Sequence, residues 1–67
     1  MKLNPKRLRL AMARVCMNPK DAAQTADISR AAFYNALAGR SVSPAIAGKI
    51  ARGLGTDVET LLGEGEA

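Results

Sequence analysis

The stretch from Asn18 to Ser43, NPKDAAQTADISRAAFYNALAGRSVS, leaves the chain few folds to choose from. It holds two short helical patterns linked only by Ala26, Asp27, Ile28 and Ser29. Asn18 offers a capping oxygen to the first pattern, Pro19 takes the first helical position, where its missing N–H costs nothing, and Asp21 lies against the positive end of the dipole. The apolar side of this helix is Ala22, Ala23 and Ala26. The second pattern opens at Ser29, another capping residue, and closes at Gly39, the residue type best able to turn left-handed. Its apolar side, Phe33, Ala36 and Leu37, repeats at i, i+3, i+4. Two helices of about ten residues so tightly joined must cross steeply, and an inner face made only of alanine lets them approach closely. The expected unit is a helix-turn-helix.

Length limits what such a unit can do. Sixty-seven residues make one domain with one small core, too small to enclose a deep substrate cleft, so function is expected on the surface. Charge is unevenly spread: residues 1–40 carry eight Lys and Arg against two Asp, or +6, and residues 41–67 carry two against four, or −2. The basic half contains the two-helix unit. A cationic face on a small helical domain suits a polyanionic partner, with the acidic end held away from it. The bland alternative is a solubilising surface, because a net charge of +4 is modest.

Several chemistries are excluded. Cys16 is the only cysteine, so the chain forms neither an internal disulfide nor a cysteine-based zinc site, which fits a reducing cytoplasm. There is no histidine, which removes the usual general base, the Ser/His and Cys/His nucleophile pairs and the commonest metal ligand. Asp57, Glu59, Glu64 and Glu66 are strung along the last eleven residues and form no catalytic constellation. No enzyme, metal or cofactor is expected. Arg9 and Arg14 interrupt the apolar run near the amino end before it reaches the length of a secretory signal, and no segment is apolar enough to span a bilayer.

Taken in order, a first helix is expected from Pro5 to Val15, entered through Asn4, with Leu8, Ala11, Met12 and Val15 turned inward. Arg7, Arg9 and Arg14 fall elsewhere and read first as solvated, with Arg9 the exception available to a phosphate. Met17 follows and suits a gap in the core. After Arg40 to Val42, Ser43 and Pro44 open a fourth helix with the stripe Ile46, Ala47, Ile50, Ala51 and Leu54. Gly48 and Gly53 in its interior cost about 1 kcal/mol each relative to Ala, so packing must hold it. Gly55 stops it, and Thr56 to Glu59 read as a capping box for a last short helix carrying Val58, Leu61 and Leu62. Residues 63–67, GEGEA, have nothing to bury and are expected to be disordered. The expectation is one all-α domain of five helices over residues 1–62.

At this point the chain resembles a known family, the Cro/C1-type or lambda repressor-like helix-turn-helix regulators, which include phage repressors, Cro proteins and antitoxins of toxin/antitoxin pairs. The resemblance covers residues 5–62 and is carried by Asn18 to Ala23, the Ala-Asp-Ile-Ser turn at 26–29, Phe33, Gly39 and the run SPAIAGKIARGLGTDVETLL at 43–62. It implies a transcriptional regulator, usually a dimer, that docks its third helix in the major groove of DNA. Three departures stand out. Pro19 replaces the Gln that in many members holds a phosphate, leaving that duty to backbone N–H groups. Met12 and Leu37 occupy positions where phage repressors often bury an Arg–Glu pair, an exchange that costs little because both charges go together. Asp27 stands where the turn usually has Gly and is among the few other residues that tolerate the left-handed region.

The third helix would enter the groove by its first turns, presenting the residues that project away from Phe33, Ala36 and Leu37. Expected base contacts are Arg30, forking onto guanine O6 and N7, Asn35 onto adenine N6 and N7, the methyl of Ala31 against a thymine methyl, and Tyr34, which otherwise covers the helix or touches a sugar. Expected backbone contacts are Ser29, Arg40, Arg9 and the helix start at Pro19. Ser29 reads equally well as a cap alone. The partners implied are a double-stranded DNA operator and a second copy of the chain, with Val58 and Leu62 either pairing the copies or finishing the core. Two alternatives remain: an antitoxin whose main partner is a toxin protein, and a helical interaction module with no DNA role.

Overall fold

The computed structural model describes Met1 to Leu62 and contains five α-helices: α1 (Pro5–Arg14), α2 (Pro19–Ala26), α3 (Arg30–Leu37), α4 (Pro44–Gly53) and α5 (Val58–Leu62). The segment 63–67, expected to be disordered, lies outside the described residues. The first four helices begin in the same way. Asn4 Oδ1 accepts from the N–H of Lys6 at 2.9 Å and Arg7 at 3.2 Å, and Asn18 Oδ1 from Asp21 at 2.8 Å. Ser29 Oγ accepts from Ala32 at 3.1 Å, and Ser43 Oγ from Ile46 at 3.2 Å. Each cap satisfies an N–H that the helix leaves without a carbonyl, and proline at the start of α1, α2 and α4 removes another.

The same four helices also end alike. A left-handed residue follows each one, Cys16 (φ 56°), Asp27 (φ 60°), Gly39 (φ 81°) and Gly55 (φ 70°). The next N–H then reaches back into the last turn: Met17 to the Met12 carbonyl at 3.0 Å, Ile28 to Ala23 at 3.0 Å, Arg40 to Asn35 at 3.0 Å and Thr56 to Ala51 at 2.9 Å. This reversal satisfies the terminal carbonyls and swings the following side chain back onto the helix it has left. Met17 and Ile28 are accordingly packed against the core. Cys16 has neither glycine's freedom nor a local side-chain acceptor, so its conformation costs about 1–2 kcal/mol, which the seating of Met17 offsets.

Packing follows from the size of the side chains. α2 packs on α3 and α4, α1 on α3 and α5, and α4 on α5. Phe33, Leu3, Leu8, Ile50 and Leu61 are fully buried and fill the centre, while Ala22, Ala23, Ala36, Ala47 and Ala51 line the helix contacts. At Gly53 the fit is closest: a Cβ there would stand 3.0 Å from the Ala26 Cα and 3.1 Å from its nitrogen. No polar or charged side chain is buried among the described residues, so Met12 and half-buried Leu37 meet an apolar interior.

Residues 1–4 are a strap rather than a mere lead-in. Leu3 is buried in the core, Lys2 bridges antiparallel to Ser41, and Val42 donates its N–H to the Met1 carbonyl at 2.6 Å. The Asn4 N–H donates to the Leu61 carbonyl at 2.8 Å. The strap thus ties the α3–α4 loop to α5.

Two expectations are corrected. α1 stops at Arg14 instead of Val15, and Val15 is exposed, because the left-handed turn at Cys16 delivers Met17 to the core in its place. α5 is capped by Asp57, whose carboxylate accepts from the Thr60 N–H at 2.7 Å, and not by Thr56, whose own N–H closes the end of α4. Val58 and Leu62, open at the sequence level between pairing copies and finishing the core, are half-buried and pack against the core.

Two measurements test this account. Gly53→Ala should destabilise by about 1–3 kcal/mol through overpacking against Ala26, whereas Gly48→Ala, with open space at its Cβ, should stabilise by up to about 1 kcal/mol; denaturant melts of the two variants read the opposite signs. The Thr60 backbone N–H, and then its hydroxyl, hold the Asp57 carboxyl below its ordinary pKa. A carboxyl whose folded pKa is lowered contributes stability above its unfolded value and loses it as pH falls through the folded one. Melting temperatures below about pH 4 should therefore fall more for the wild type than for Asp57→Asn, which keeps a cap without a charge.

Candidate nucleic-acid interface

The α2–α3 pair sets the geometry of the site. Phe33 and Ala36 are buried and Leu37 half-buried, so the helical period turns Arg30, Ala31, Tyr34 and Asn35 outward, and all four are exposed. Tyr34 is 52% exposed, a large aromatic surface for so small a domain. The four expected base readers therefore share one open face of α3. Ser29, at the start of that helix, accepts from Ala32 while its hydroxyl proton stays available to an acceptor outside, so capping and anion contact are compatible roles.

Arg40 and Asn35 are brought together. The Arg40 Nη1 donates to the Asn35 Oδ1 at 3.2 Å, and the Arg40 backbone N–H donates to the Asn35 carbonyl at 3.0 Å. The side-chain bond turns the amide oxygen of Asn35 towards the carboxyl end of α3, with its NH₂ and a second lone pair still available. Guanidinium has five donors, so Arg40 retains others for an anion. The sequence pattern carried no sign of this pairing, because Gly39 sets its geometry by reversing the chain between the two residues.

Arg9 is exposed on α1, one turn beyond Pro5, whose ring lies 3.4 Å from where a Gly39 Cβ would stand. Residues four apart share a helix face, so Arg9 lies on the strip of α1 that flanks the end of α3. Pro19 is half-buried and has no N–H, and the Asp21 N–H is taken by Asn18. The start of α2 thus offers the backbone N–H of Lys20, beside that residue's ammonium group. Lys20 and Gln24 are not among the contacts expected from the sequence, which on α2 stop at the helix start, Pro19. They share a hollow of about 300 Å³ with Ile28 and Arg30, formed where α2 and α3 diverge. A basic residue directly after the Asn18–Pro19 cap was the available signal.

The arrangement presents cations, hydroxyls and an amide on a solvent-facing surface above an apolar interior. No group of three His, Cys, Asp or Glu side chains that could hold a metal occurs among the described residues, and no described helix is long and apolar enough to cross a membrane. Compared with protein-family models, curated proteins and solved structures, the chain matches none.

Because these side chains are exposed and none belongs to the core, Arg30→Ala, Tyr34→Ala and Asn35→Ala should each change stability by no more than about 0.5 kcal/mol. Denaturant midpoints check this directly; a loss of several times that size for any of the three would mean that its side chain is structural.

Proposed function

We propose that the protein binds double-stranded DNA sequence-specifically as a regulator of transcription, with α2 and α3 acting as a helix-turn-helix of the Cro/C1 type. The observation that carries this reading is the face of α3: Arg30, Ala31, Tyr34 and Asn35 exposed together on a capped helix within the half of the chain that bears +6. Under this reading Arg30 forks onto guanine, and the Ala31 methyl meets a thymine methyl. Asn35 presents its amide to the base edge in an orientation set by Arg40. Tyr34 lies against a base or the adjoining sugar. Ser29, Arg9, Arg40 and the start of α2 at Pro19 and Lys20 meet phosphates, which fixes register and makes binding sensitive to salt.

The function is recognition rather than catalysis, which suits a domain with no buried polar or charged side chain among its described residues. The described domain measures 29 × 22 × 17 Å. Two copies therefore fit side by side on half-sites about 34–36 Å apart, the spacing of one helical turn, and a homodimer on an inverted repeat is the proposed complex. The lone exposed Cys16 is consistent with work in a reducing cytoplasm.

Selection from a random duplex pool at two salt concentrations tests the proposal: an enriched inverted repeat is expected, and uniform weak retention would sink it. On the enriched site, Arg30→Ala should relax discrimination at one base pair by about 1–3 kcal/mol. Arg40→Ala should instead weaken binding to all duplexes and lower the salt slope by about 0.9 for the phosphate it leaves. It should also broaden the choice at the position read by Asn35. Competition binding on matched and mismatched duplexes separates these effects.

A further inference from the structure

Leu10 is 57% exposed, the highest value among the large hydrophobic side chains of the described chain, although it sits mid-helix in α1 between two turns whose inner residues are buried. It does not stand on a flat surface. With Arg7, Ala11, Arg14 and Thr60 it lines a groove of about 480 Å³ between α1 and α5. Ala11 and Arg14 also line a second hollow of about 190 Å³, which carries the groove on past exposed Val15 towards the end of α4. We infer that this groove is a docking site for an acidic amphipathic segment of another protein, one apolar side chain covering Leu10 and carboxylates meeting Arg7 and Arg14.

Charge selects this occupant. Arg7 and Arg14 are seven residues apart, about 10 Å along the axis, and lie on the same strip with Leu10 midway. No carboxylate lines the groove among the described residues. A helical ligand with acidic residues at i and i+7 and an apolar one at i+3 or i+4 matches that spacing, with the charges complementary at each end. A second copy of this chain is a poor occupant. A two-fold contact sets a patch against itself, so it would face Arg7 and Arg14 with their own duplicates and supply no opposing charge.

The groove is separate from the face of α3. At about 100° per residue, Leu10, Arg14 and Arg7 lie about 140–200° around α1 from Pro5, the residue whose ring meets Gly39 at the end of α3. The acidic segment therefore docks on the far flank of α1 and leaves Arg30, Tyr34 and Asn35 open. This inference does not depend on the DNA-binding reading.

A phage-displayed library of random 16-residue peptides, selected in parallel on the full chain and on its Leu10→Ser variant, provides the test. The expected result is enrichment, on the wild type alone, of peptides with acidic residues flanking an apolar one. A synthetic peptide of that sequence should bind Leu10→Ser and Arg7→Gln/Arg14→Gln at least ten-fold more weakly. All three substituted positions lie outside the core, and thermal melts confirm that the variants are folded. No enrichment on the wild type, enrichment of basic or uncharged peptides, or equal binding to Leu10→Ser would overturn the inference. So would a self-association, seen by sedimentation without peptide, that Leu10→Ser abolishes, since the occupant would then be a second copy.

Discussion

The close approach of α2 to its two neighbours is the constraint on which the rest of the structure depends. Ala22, Ala23 and Ala26 keep the helix thin on its inner side, and Gly53 removes the one side chain that would hold α4 away from Ala26. With α2 drawn in, Phe33 is sealed beneath it at the centre of the domain. A buried phenylalanine at that position fixes the rotation of α3, and so fixes which residues of α3 meet solvent. The outward set, Arg30, Ala31, Tyr34 and Asn35, is the complement of a packing decision made on the opposite side of the helix.

Two devices hold that arrangement with little material. One is the repeated use of polar caps at helix starts and left-handed residues at helix ends, which lets helices of eight and ten residues stop within a turn and reverse. Isolated helices of this length are marginal in water, so the caps define the ends while burial supplies the stability. The other is the strap of residues 1–4, which inserts Leu3 into the core and joins the α3–α4 loop to the last helix. Arg40 stands at the start of that loop, so the same strap that closes the core also steadies the residue paired with Asn35.

The molecule divides its surface by chemistry. The face of α3, with Lys20 and Gln24 beside it, is polar and cationic and carries the proposed reading of DNA. The far flank of α1 combines arginine with exposed leucine, a mixture suited to protein rather than to a duplex. Both surfaces rest on one apolar interior that, among the described residues, holds no buried charge to be spoiled by a ligand at either. A domain of this size has room for both proposed surfaces, because neither requires a deep enclosed cleft.

Much of this was legible in the residues themselves. Asn4, Asn18, Ser29 and Ser43 announced four helix starts, Gly39 and Gly55 two of the ends, and the 3.6-residue period of Leu8, Phe33 and Ile50 the buried faces. These signals are local, and a local signal is written in neighbouring residues. The outward set on α3 was readable for the same reason, since it is what the buried period leaves over. Tertiary structure alone decided the ending of α1 at Cys16 with Val15 turned out, the burial of Leu3, the choice of Asp57 over Thr56 as a cap, the Arg40–Asn35 pair and the groove beside Leu10. Each of these depends on a competition between neighbours for one place in the core or one hydrogen bond, or on elements distant in sequence coming together, and periodicity carries no record of which neighbour wins.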